Sequence, residues 1–419
     1  MNAKRLTLLV AAGLAASGCG VTATVLGSAQ RGSSSAGTPL LSAHTGATTN
    51  RTAPASQLSP PSRTSSPPSS SAPPPPPPPP APQVIVMAAD TISGATFQVS
   101  LVNTAGTVLA AAAVPAGARW TVGAGPGAAY WVTGGMLQRL VAGGAVTTVA
   151  TVPATQSGRV VVSPDGSEWA FATTSQDSHG VVINRLYRGG GGEATRLIAE
   201  RSADPMHPST DAPPAWQYYP ISWTAKGILI ERQPLGGCGC GTPFDMEMTA
   251  AYSAFIDPLT GTAAPVTESS SCPLSGAGAD GTAACFQVSA TGGSASLMFL
   301  NNLHTTAHYA LSGKNSGGDA TFQGSTVAYA TVPKDAGGCG GPDWRPATTL
   351  HVMDMSTGDA RTLGPVGLAP VAWLNNGTIL GTLAVATAKG ATTTTVVTVD
   401  PVSGHLSTVV NRMVVVGVA

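Results

Sequence analysis

The chain has 419 residues, a charged fraction of 10% and a formal net charge of zero. An average soluble domain carries about 25% charged residues. Neither a basic stripe for phosphates nor an acidic partner surface is present, which argues against nucleic-acid binding. The length admits two or three ordinary domains, or one large all-β ring.

Lys4 and Arg5 open the chain with positive charge, and Leu6–Ala16 is apolar but short for a bilayer span. Small residues Ala16-Ser17-Gly18 then lead to Cys19, which is the order of an export signal. The run Leu14-Ala-Ala-Ser-Gly-Cys19 resembles the bacterial lipobox. That resemblance implies a lipoprotein signal peptide over residues 1–18 and a diacylglycerol on the Cys19 thiol. It implies an extracytoplasmic protein, lipid-anchored to the outer face of the bacterial cell membrane. More than one acyl chain anchors stably where a single chain does not.

Residues 19–83 are dominated by Ser, Thr, Ala, Gly and Pro and close on the run Pro73–Pro80. A segment so poor in apolar residues cannot offset its ordering entropy, and polyproline is a semi-rigid spacer. A disordered tether is expected here.

From Val84 onward apolar residues alternate or run in short blocks between Gly, Asn, Asp and Pro turns. This is the pattern of many short strands. Ser163-Pro-Asp-Gly166 joins Val160–Val162 to Trp169 and Phe171 as a tight hairpin, proline setting φ and glycine taking φ > 0. Trp223-Thr-Ala-Lys-Gly227 and Trp373-Leu-Asn-Asn-Gly377 repeat the device. A second hairpin type recurs at Asp257-Pro-Leu-Thr-Gly261, Asp354-Met-Ser-Thr-Gly358 and Asp400-Pro-Val-Ser-Gly404. The turns recur every ~50 residues, the period of a four-stranded propeller blade. A β-propeller over 84–419 is therefore expected, with seven blades and six or eight as alternatives. The blades fall near 84–114, 119–153, 159–201, 219–267, 283–312, 318–365 and 370–410. The first holds three strands, so Met413–Val418 is expected to complete it and close the ring.

These turns resemble the repeats of TolB-like, WD-related propellers. The resemblance implies the fold alone, since the α/β domain that precedes the propeller of that family has no counterpart in this chain.

Blade topology gathers the long insertions 201–219, 233–248, 267–284 and 333–348 on one face. Long loops on a rigid scaffold are where binding sits. Trp216, Tyr218, Tyr219, Asp245 and Trp344 in these loops are the candidate ligand-binding residues, since aromatics beside aspartates suit a sugar or a peptide. Cys238, Cys240, Cys272, Cys285 and Cys339 lie there too and are disulfide candidates, Cys272 with Cys285 first. The Cys-x-Cys spacing lacks a second paired motif or a nearby histidine, so no metal is expected, and no cofactor motif is present. Neither a Gly-x-Ser-x-Gly elbow nor a His-Glu-x-x-His helix occurs, so no catalytic residue is assigned. The expected role is a monomeric binding or protein-interaction module of the bacterial cell envelope, with an envelope protein, peptide or glycan as partner. The alternative is a propeller hydrolase or lyase acting on a glycan or peptide, for which the loop aspartates speak.

Overall fold

A computed structural model describes residues 83–89, 94–153, 156–179, 181–190, 193–203, 216–234, 252–265, 274–277, 282–288, 295–301, 304–310, 315–333, 343–388 and 390–418. Residues 1–82, which hold the expected signal peptide, Cys19 and all of the expected tether but Gln83, fall outside them, and the compact unit that holds the strands is Ala81–Ala419.

Among the described residues the chain forms seven four-stranded antiparallel sheets. The first uses β1 (Val84–Ala89), β2 (Thr96–Asn103) and β3 (Val108–Pro115). A 3-10 turn, Ala116–Thr121, leads to the second: β4 (Gly123–Gly125), β5 (Ala128–Thr133), β6 (Met136–Val141) and β7 (Thr147–Thr151). The third comprises β8 (Gln156–Val162), β9 (Glu168–Gln176), β10 (Val182–Gly190) and β11 (Glu193–Ala203). The fourth comprises β12 (Trp216–Thr224), β13 (Gly227–Pro234), β14 (Tyr252–Ile256) and β15 (Ala263–Pro265). The fifth holds β16 (Leu274–Ala277), β17 (Thr282–Val288), β18 (Ala295–Asn301) and β19 (His304–Ala310). The sixth holds β20 (Asn315–Gln323), β21 (Thr326–Pro333), β22 (Thr349–Asp354) and β23 (Ala360–Leu363). The seventh is β24 (Leu368–Trp373), β25 (Ile379–Ala386), β26 (Thr392–Val399) and β27 (Leu406–Asn411). The last strand, β28 (Met413–Val418), returns to the first sheet and pairs with β1 from Ile85↔Val418 to Ala89↔Met413.

The architecture is an all-β propeller of four-stranded blades whose first blade is closed by the C-terminal strand. A four-stranded sheet alone cannot cover both its faces, so each packs on its neighbour. Val86, Val99 and Leu101 of the first sheet meet Ala129 and Trp131 of the second. Val161 and Leu186 of the third meet Ile228 and Ile230 of the fourth. Closure is apolar too, because Ile85, Met87 and Met413 pack on Leu380 and Val396 of the seventh sheet and on Leu374 just after β24. Each fully buried Leu or Ile is worth roughly 1.5–3 kcal/mol.

The turns keep the geometry their sequences demand. Gly166 has φ 75° and its N–H donates to the Ser163 carbonyl at 2.8 Å. In the second hairpin type the aspartate accepts backbone N–H groups that follow it. Asp257 takes those of Leu259 at 2.7 Å and Thr260 at 2.9 Å, and Asp400 those of Val402 at 2.9 Å and Ser403 at 2.6 Å. The same turns are tied to the preceding sheet from outside. Arg196 on β11 donates to the Leu259 carbonyl at 3.0 Å, and Arg361 on β23 donates to the Pro401 carbonyl.

Candidate functional site

The first strand of each sheet is the one that touches its counterparts in neighbouring sheets, along β24, β28, β4, β8 and β12 and along β16, β20 and β24. These strands therefore line the axis. Each except β4 breaks register with its partner at a similar point. The breaks fall between Ser157 and Val160 on β8, Pro220 and Ser222 on β12, Leu274 and Gly276 on β16, and Gly317 and Ala320 on β20. On β24 the break lies between Pro370 and Ala372, and on β28 between Val415 and Gly417. A β-bulge leaves one residue unpaired and re-aims its side chain. The residues with described side chains that are set at the axis in this way are Arg159, Ile221, Asp319, Val371 and Val416, and of Ser275 on β16 only the backbone is described.

Among those whose side chains are described, Ile221, Val371 and Val416 are apolar and half-buried, and two are charged. Arg159 is half-buried and donates from Nη2 to the Val416 carbonyl, reaching past the three-residue β4 to the closing strand. Burial lowers its pKa, and the phenol of Tyr219 acts in the opposite sense. Asp319 is exposed, while Gly318 and Ala320 on either side of it are buried. Desolvation by the surrounding protein pushes its pKa up to about 6. No donor or cation among the described residues pulls it back. Arg159 belongs to the third sheet and Asp319 to the sixth, so they stand on opposite walls of the ring.

The residues expected from sequence are placed differently. Tyr218 and Tyr219 belong to β12 and not to a loop, because the aromatic run pairs residue by residue with β13. Tyr218 is 5% exposed and packs with Leu186 and Ile228 between sheets, so it is a core residue. Tyr219 is half-buried beside Arg159 and stays in the site. Of Trp216 only the backbone is described, at the start of β12. Trp344 is half-buried ahead of a 3-10 turn, Arg345–Ala347, next to the Asp343–Arg345 ion pair at 2.6 Å. Hydrogen bonds from Arg345 hold the Asp343 carboxyl below its usual range against the opposing effect of burial. Asp245, Cys238, Cys240, Cys272 and Cys339 lie outside the described residues. Cys285 is fully buried on β17 and is disulfide-bonded.

Arg159 and Asp319 were not singled out by sequence reasoning. The signal was glycine inside a strand, Gly158 before Arg159 and Gly317-Gly318 before Asp319, which marks a bulge. One further row has the spacing of a nucleophile and base. Thr331 Oγ1 lies 2.9 Å from His351 Nε2, and Thr362 Oγ1 lies 3.2 Å from His351 Nδ1. Burial lowers the His351 pKa, and its ring stacks on Tyr329 at 5.1 Å. Thr331 is only 4% exposed, so no substrate reaches it, and the row is a cross-strand brace. A shallow groove of about 480 Å³ by Ala89, Thr96, Phe97, Gln98 and Ala111 carries no charged group. Among the described residues no group of three or more His, Cys, Asp or Glu is placed to hold a metal ion.

No family model matches the chain, and no curated protein matches it. Solved structures share the fold at low identity. Dipeptidyl peptidase 4 of Porphyromonas gingivalis is 9% identical with a TM-score of 0.44, covering 78% of this chain and 50% of that one. The acylaminoacyl peptidase of Pyrococcus horikoshii is 8% identical with a TM-score of 0.47, over 78% and 50%. Hydrazine synthase of Kuenenia stuttgartiensis is 12% identical with a TM-score of 0.43, over 67% and 76%. The match spans about half the length of the two peptidases.

Proposed function

We propose that the chain is a seven-bladed binding propeller, held outside the bacterial cytoplasm by a lipid on Cys19, that takes its ligand at the mouth of the axial channel. The observation that carries this reading is the ring of bulges, which turns one cation and one carboxyl toward the axis beside the apolar Ile221, Val371 and Val416. Bulges of this kind re-aim side chains next to functional sites. Trp344 would rim the same mouth, since the second-to-third strand loops and the inter-sheet connections share one face.

The reading is tested by photo-crosslinking the protein in its native envelope and comparing substitutions. Val371→Arg should abolish partner capture while the protein melts within about 2 °C of the parent. Loss of capture on Asp354→Ala at the short-turn face, with Val371→Arg unaffected, would overturn it. For the anchor, Cys19→Ala should release the protein from the membrane fraction or leave a precursor.

One observation favours a second reading, a hydrolase acting on a peptide or glycan. A carboxyl whose pKa is pushed up to about 6 is closer than an ordinary one to the range of general acid–base work. Hydrolysis of chromogenic peptides or glycosides that disappears on Asp319→Asn would move the protein into that class.

A further inference from the structure

We infer that the axial ring recognises a short peptide by its two free termini, the amino group at Asp319 and the carboxylate at Arg159 with Tyr219. The inference rests on the axial binding reading above and gives it a ligand class. Three features of the ring lead to it.

The charges stand apart. Asp319 on β20 and Arg159 on β8 are separated by β12 and β16 on one side and by β24, β28 and β4 on the other. The Asp319 carboxyl is shifted by poor hydration alone, with no contribution from a cation, so Arg159 does not neutralise it. A ligand of one charge would satisfy one wall and meet its own sign on the other. A neutral sugar would leave both charges desolvated without a counter-charge, a costly outcome for ionised groups. A zwitterion satisfies both walls.

Among the described residues, the bulged positions between them are apolar. Ile221, Val371 and Val416 offer no side-chain polar group, so what lies between the two ends of the ligand need only be small. The two charges of a single amino acid sit on adjacent carbons and cannot reach walls separated by two further strands. Three residues in extended form span about 10 Å.

Donors are ready at the anionic end. Val416 engages one nitrogen of the Arg159 guanidinium, and a guanidinium offers five N–H donors, so others remain for a carboxylate. Tyr219, half-buried on β12, which packs against the β8 that carries Arg159, adds a phenolic O–H.

The test is calorimetric titration of the full chain at pH 7.5 with trialanine, N-acetyl-trialanine, trialanine amide and, as a neutral probe, maltotriose. Trialanine should bind, and either cap should weaken it by about tenfold or more. Asp319→Asn should weaken trialanine by a similar factor yet leave N-acetyl-trialanine unchanged, and Tyr219→Phe should weaken trialanine more than its amide. Asp319→Ser serves as a second variant should the asparagine protein melt abnormally. Equal affinity for free and capped peptides, or no binding of trialanine at millimolar concentration, would overturn the inference. Maltotriose bound in place of trialanine would also overturn it, while leaving the axial binding reading intact. Loss of the envelope crosslinking pattern described above would remove that reading itself.

Discussion

The aspartates of the short-turn face and the single aspartate of the axial ring put the same side chain to opposite uses. Asp165 accepts from the Ser167 N–H at 3.0 Å and from the hydroxyls of Ser163 at 2.6 Å and Ser167 at 2.8 Å, and its pKa falls to about 2. Asp257, Asp354 and Asp400 are lowered in the same way by donors within their own turns. Asp319 is shifted up by poor hydration and by nothing else. A carboxylate whose donors lie within a few residues stabilises a turn, and its chemistry is spent there. A carboxyl placed at the axis without donors costs stability and keeps its charge free for a ligand. Local hydrogen bonding, and not the count of aspartates, separates structure from candidate function.

Removing the frame that creates the axis should give the largest effect. Deletion of 413–418 leaves the edge of β1 open, strips Met87 and Leu380 of Met413 and takes away the carbonyl that holds Arg159. The loss should be about 5 kcal/mol or more, read as a large fall in melting temperature. A truncated protein that melts within about 2 °C of the parent would mean that β28 does not close the ring.

Arg159→Gln comes next. It removes a charge-assisted bond to the closing strand, for about 2 kcal/mol, while leaving the short-turn face untouched. Chemical denaturation measures it, and a change no larger than that of Arg361→Ala, an exposed residue, would place Arg159 among the surface braces.

The pH dependence of melting separates the two kinds of aspartate. For the turn aspartates the folded pKa lies below the unfolded value, so their contribution is present above pH ~4 and is lost as pH falls toward 2. Asp165→Asn should flatten part of that acid limb. A variant as acid-sensitive as the parent would deny the turn its role.

The smallest effect has the opposite sign. Because the folded pKa of Asp319 is raised to about 6, its destabilising influence is absent below pH ~4 and grows as pH rises through 6. Asp319→Asn should raise the melting temperature at pH 8 by about 1–2 °C after allowance for solvent screening, and by nothing at pH 4. A fall at pH 8 would mean that the carboxylate has a partner and belongs with the turns.

Period-two alternation, the turns that end in Gly166, Gly227 and Gly377 and the recurring Asp-x-x-Ser/Thr-Gly turns were enough to divide 84–419 into blades and to give β28 its place in the first sheet, because all are local properties of the chain. The side of a strand on which a residue ends up is local too, until a bulge intervenes. Tyr218 and Tyr219 read as loop aromatics, and only the pairing of β12 with β13 makes one a core residue and leaves the other beside Arg159. The bonds of Arg196 and Arg361 to the next sheet's turns exist only once the sheets stack. Arg159 and Asp319 lie 160 positions apart in the sequence, so nothing local relates them. The sequence by itself determined the strands, the turns and the closure of the ring. The tertiary structure alone decided which two charges stand at bulges on the innermost strands of opposite sheets, because that depends on how many sheets stand between them and on where each innermost strand slips its register.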